Sequence, residues 1–165
     1  MSSTGINKNI NFTILRIKTI SFYVNEVSFQ EGKDVKIEMN QNFGVSLAAE
    51  VIEYRLRVYL FHLDNPSLRL SEIIVHNSYK IENIMDYFSN DVLSLPSSLF
   101  ISLLSMSISH SRALFCQNTA GTIYQDYILP IINPTDVAKV FYPNMFNKGE
   151  IKENIEFPLK ELTPP

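Results

Sequence analysis

The stretch Val51–Leu63, VIEYRLRVYLFHL, constrains this chain most. Ile52, Tyr54, Leu56, Val58 and Leu60 fall in one phase, and Glu53, Arg55 and Arg57 in the other. Side chains alternate across a strand, so the stretch predicts a long strand with one buried face. The polar phase then turns apolar, continuing as Tyr59, Phe61 and Leu63. The second half of the strand therefore needs two covers: a core on one side and a subunit, helix or ligand on the other.

The sequence predicts three more strands around this one. Ile10–Val24 carries Ile10, Phe12 and Ile14 in one phase, then Arg16 and Lys18, then Ile20, Phe22 and Val24. A strand whose apolar face flips in mid-course is bent, bulged or differently covered in its two halves. After a polar connection at Asn25–Asp34, Val35–Asn40 alternates cleanly. Gln41–Gly44 reads as a turn, and Val45–Glu50 leads into the Val51 strand. Asp64-Asn65-Pro66-Ser67 is a strong turn signal, closing a hairpin with a fourth strand at Leu68–Lys80. Four strands in succession with short connections predict an antiparallel meander.

After Ile81 the period changes. Pro96 opens a predicted long helix with Phe100, Leu103, Leu104, Ile108 and Phe115 on one face. Ser98, Ser102, Ser105 and Ser109 line the opposite face. From Val92 to Ser111 there is no charged residue, but seven positions from Ser94 to Ser109 are serine and Pro96 interrupts the run. A membrane span wants predominantly apolar residues over about 20 positions, so a buried or interface helix is the better account. Gln117–Gln125 reads as a loop and Asp126–Ile132 as extended. Asn133-Pro134 caps a short second helix, Thr135–Tyr142, expected to bury Val137, Val140 and Phe141. The expected domain is thus 1–143, with 144–165 a polar, loosely held tail.

Chemistry is sparse. His110 lies between Ser109 and Ser111, and helix neighbours point to different sides, so no nucleophile–base pair results. His62 and His76 could meet across the hairpin, but no Cys or carboxylate pair completes a metal set. The single cysteine, Cys116, reads as a packing residue near a helix carboxyl end. The five glycines make no phosphate loop. The net charge of −3 gives no footprint for nucleic acid. One cysteine and an amino terminus with no basic-then-apolar region make a cytoplasmic location the expectation. A non-enzyme without cofactors is the expected class.

Taken in order, these pieces resemble the SecB family of protein-export chaperones. Phe12-x-Ile14-x-Arg16-Ile17-x-Thr19 with Ser21-Phe22 is similar to the family's first strand, and Val35-Lys36-Ile37-Glu38-Met39 to its second. Glu53-Tyr54-Arg55-Leu56-Arg57-Val58 resembles the third, and Leu70-Ser71-Glu72-Ile73 the fourth. Pro96-x-x-Leu99-Phe100 and Ser111-Arg112-Ala113-Leu114-Phe115 resemble the ends of the long helix. Leu129-Pro130-Ile131-Ile132-Asn133 resembles the extended segment before the second helix. The likeness runs from Ile10 to Tyr142.

The resemblance implies an α+β protomer: a four-stranded antiparallel sheet with one long and one short helix, assembled as a dimer of dimers. It implies an ATP-independent holdase for unfolded preproteins, supporting export. A close variant serves one dedicated client, such as an antitoxin; another reading is an interaction protein that keeps the fold without chaperoning. Ile37, Met39, Ser71, Ile73 and Val75 match strand positions implicated in client binding or the subunit interface. Tyr59 and Phe61 join them on the strength of the two-faced strand alone. Leu70 and Glu72 match the contact with the SecA motor. The sequence departs from the family in carrying no acid in Thr19–Val24, and in its tail.

Overall fold

The computed structural model describes residues 10–158. Strands β1 (Phe12–Val24), β2 (Val35–Ser46), β3 (Val51–His62) and β4 (Asn65–Ile81) form one antiparallel sheet. Its order is β1-β4-β3-β2. Only β2, β3 and β4 run as a meander. The expected four-strand meander is corrected at β1, which crosses to the far edge beside β4, a Greek-key arrangement. The polar connection Asn25–Asp34 is long enough for that crossover, whereas the later connections are tight turns.

The flipped phase of β1 has a direct cause. Ile14 pairs with Tyr79 and Arg16 with Ser78, so Leu15 is an extra residue; Ile20 is a second one, between Thr19 and Ser21. Each bulge resets the side-chain phase. Ile14, Ile17 and Phe22 thereby share one face, and Arg16, Lys18 and Ser21 the other.

Two turns differ from expectation. Gln41–Gly44 is not a turn but the second half of β2, which runs to Ser46. Phe43 there stacks on Phe157 with ring centroids 4.7 Å apart, and that packing overrides turn-like composition. The β3–β4 turn is Leu63-Asp64, and β4 already begins at Asn65. Register shifts then follow between Leu60 and His62 of β3.

Short strands β5 (Phe88–Ser89) and β6 (Val92–Pro96) precede helix α1, Ser97–Thr119. By length and composition alone α1 could cross a membrane. Here it buries Phe100, Leu103, Leu104, Ile108 and Phe115 against the sheet. The sheet side also carries Ser107 and Ser111, both fully buried. Small side chains let Tyr79 reach the helix, with its hydroxyl 2.7 Å from Ser107 Oγ. Hydroxyls of Ser102, Ser109 and Ser111 donate to carbonyls one turn back, which satisfies them without charge.

Helix α2 spans Pro134–Phe141, and Asn133 caps it by accepting from the Thr135 amide at 2.9 Å. It buries Val137 and Ala138. Val140, expected inside, is 75% exposed, and Phe141 is only partly covered.

The expected loose tail is corrected over 144–158. Strands β7 (Phe146–Asn147) and β8 (Glu150–Ile151) form a hairpin, and β9 (Asn154–Pro158) pairs antiparallel with β6. Alternation hides Ile155 and Phe157 among the buried core residues while Glu156 stays outside. The remainder of the tail, 159–165, lies outside the described residues.

Candidate interaction surfaces

The sheet has two unlike faces. Both apolar clusters draw on one of them. Ile52, Tyr54, Leu56, Tyr79 and Ile81 meet the first half of α1, and Val58, Leu60, Ile73 and Val75 meet Phe115, Tyr124 and Leu129. Ile73, Val75, Ser71 and Leu70 are all 0% exposed on this side. Ser71 Oγ donates to the Tyr23 carbonyl at 3.1 Å. These four residues, read from sequence as docking positions, lie in the chain's own interior. Ile37 and Met39 lie on the same face of the edge strand β2 and are only half-buried. They are the members of the expected client set still open to contact.

The outer face carries Tyr59, Phe61 and Glu72. Tyr59 and Phe61 are 5% and 3% exposed although no core cluster includes them. Their cover is cationic. The Arg69 guanidinium lies 3.7 Å from the Tyr59 ring centroid, and Lys36 Nζ lies 6.0 Å from that of Phe61. The Tyr59 hydroxyl donates to Glu38 Oε2 at 2.8 Å, and Lys36 donates to Glu38 Oε1 at 2.9 Å. The Lys36 bond, then the Tyr59 bond, holds the Glu38 carboxyl below its usual pKa. Burial, then the Glu38 hydrogen bond, pushes the Tyr59 phenol up. Glu72 is engaged as well, bonded to Arg57 at 2.6 Å.

Strand pairing lines up the rest of this face in rows. Arg16 neighbours Ser78, which neighbours Glu53; Lys18 neighbours His76, which neighbours Arg55. Ser21, Ile74 and Arg57 form the next row. His76 Nε2 is 3.3 Å from Glu53 Oε1. His62 is on the opposite side, where its Nε2 accepts from the Gln30 amide at 3.0 Å, so the two histidines never meet. Adding Lys36, Arg69 and Lys80, half of the chain's 14 Lys and Arg residues sit on this one face. The strand acids beside them are Glu38, Glu53 and Glu72. Sequence reading missed this surplus, because Arg16 and Lys18 join it only if β1 lies next to β4.

The third surface is the free edge of β1. Ile14, Leu15, Ile17, Ile20 and Tyr23 are each 42–53% exposed there, and among the described residues β1 pairs only with β4. Exposed apolar residues also follow α1, with Ile128 and Ile131 on the extended segment before α2.

Among the described residues, no group of three or more His, Cys, Asp or Glu could hold a metal ion. His110 Nδ1 lies 2.8 Å from Asn77 Oδ1. An amide oxygen only accepts, so Nδ1 carries the proton, and the pair ties α1 to β4. Burial holds the His110 pKa below its usual value.

No protein-family model matches the chain, and neither does any curated protein.

Proposed function

We propose that the chain is an ATP-independent holdase of SecB-like design that keeps client polypeptides unfolded. The observation that carries this reading is β1: a 13-residue edge strand with no strand partner on its outer side among the described residues, and with five half-exposed large apolar side chains. Such an edge invites pairing with another chain; its two bulges and Arg16 and Lys18 blunt it only in part, since large apolar side chains stand between them. Strand addition supplies main-chain hydrogen bonds without demanding a sequence, which suits an unfolded client. Ile37 and Met39, half-buried at the opposite edge, extend the apolar contact. The order of strand and helix motifs along the sequence supports the same reading. A dimer of dimers in the cytoplasm belongs to the proposal.

Between general export and a dedicated client, we favour the dedicated client. The SecB-like contact with SecA uses an acidic sheet surface, whereas cations outnumber acids on this outer face, and Glu72 is bound to Arg57.

A labelled protein that is reduced and carboxymethylated, and so stays unfolded, tests the reading by fluorescence anisotropy. We expect saturable binding without nucleotide, weakened at least fivefold by the combined Ile14→Ser, Ile17→Ser and Ile20→Ser changes. Absence of binding, or binding indifferent to those changes, contradicts it.

A further inference from the structure

We propose that the outer face of the sheet is a second docking surface, which takes an acidic polypeptide segment of a partner protein. It lies opposite the apolar clusters and shares β1 with the client edge, through Arg16 and Lys18.

The cations of this face differ in how they are matched. Arg57 has Glu72, Lys36 has Glu38, and Lys80 is 3.9 Å from Glu50. Arg69 is stacked on Tyr59 and donates to the Pro66 carbonyl at 3.0 Å. Arg16, Lys18 and Arg55 have no carboxylate partner among the described residues. Arg55 Nε is buried with no hydrogen-bond partner. A buried guanidinium nitrogen without an acceptor costs stability, as do like charges on neighbouring strands.

Geometry narrows the ligand. Lys18 and Arg55 flank His76 in one row, and Arg16 stands two residues along β1. Strands are spaced by about 5 Å and alternate residues by about 7 Å, so the three cations span roughly 10–15 Å. Two or three carboxylates of a short extended segment match that span. A nucleic acid fits less well, because its unbroken row of phosphates would meet Glu53 beside Arg55 and Glu38 and Glu72 beyond it. Nor do the aromatics offer a row to stack on: Tyr59 and Phe61 are under Arg69 and Lys36, and the exposed Tyr23 stands beside Glu72.

The probe is a fluorescein-labelled peptide of glycine and serine with three glutamates at alternate positions, titrated with the full chain at low salt. Saturable binding is expected, lost on raising salt, with at least tenfold weakening in Arg16→Glu/Lys18→Glu. The milder Arg16→Gln/Lys18→Gln pair should weaken binding at least threefold and serves if charge reversal impairs folding. Lys139→Glu, off this face, should bind like the parent. No saturable binding, or equal binding by the Arg16/Lys18 variants, overturns the proposal. Tighter binding of a labelled twelve-nucleotide oligouridylate overturns the choice of a polypeptide. Salt-sensitive self-association that competes with the peptide overturns a separate partner. Failure of the β1 edge to bind unfolded protein would leave these results unchanged, so the two readings fail separately.

Discussion

The Arg69 guanidinium stacks 3.7 Å above the centroid of the Tyr59 ring and lies 5.7 Å from that of Phe61. One side chain of β4 thus shields the apolar end of β3 from water. Such cation–π contacts contribute about 0.5–2 kcal/mol. Replacing Arg69 by alanine should lower unfolding free energy by about that amount and increase binding of a hydrophobic dye. Dye fluorescence equal to the parent would show that Arg69 is not the cover.

Ile73 should act through the fold and not through a docking surface. It is fully buried between β4 and the end of α1. Ile73→Ala should cost about 2–5 kcal/mol in denaturant unfolding, with the larger loss where the cavity cannot collapse. A change below about 1 kcal/mol together with lost association would return Ile73 to the interface.

Phe157 tests the anchored carboxyl region. Its ring stacks on Phe43 and sits 5.5 Å from Phe100. Phe157→Ala should cost about 3 kcal/mol or more and speed proteolysis after residue 143. Stability unchanged within about 0.5 kcal/mol would mean that β9 does not hold to β6.

His110 gives the fold a pH response. Burial favours its neutral form, so its folded pKa lies below the ordinary value of 6.5. The unfolded chain then binds the proton first as pH falls. The stability that His110 contributes is full above about pH 6.5 and declines below it. Urea midpoints at pH 7.5 and pH 5.5 should differ more in the parent than in His110→Gln. An equal difference in both would remove His110 as the cause.

Much of the fold was legible because its signals are local. The alternation at Val51–Leu63 gave β3, and the Asn133-Pro134 pair gave the start of α2 within one residue. The flip in β1 announced its bulges. What stayed hidden depends on contacts between distant segments. Nothing local in Gln41–Gly44 says that Phe43 stacks on Phe157. Nothing local in Phe12–Val24 says that β1 pairs with β4 instead of β2, and Arg16 and Lys18 join the basic face only through that pairing. The cover over Tyr59 needed the register shift that brings Arg69 opposite Phe61. The expected docking residues Ser71, Ile73 and Val75 were visible as apolar or small strand positions. Alternation cannot distinguish a subunit contact from the chain's own core.

The most direct measurement is light scattering from an apolar client diluted out of denaturant, with the purified chain and no ATP. Near-stoichiometric protein should suppress aggregation, and the combined Ile14→Ser, Ile17→Ser and Ile20→Ser variant should lose most of that protection while remaining folded. Aggregation that proceeds unchanged in the presence of the folded parent protein would contradict the holdase reading.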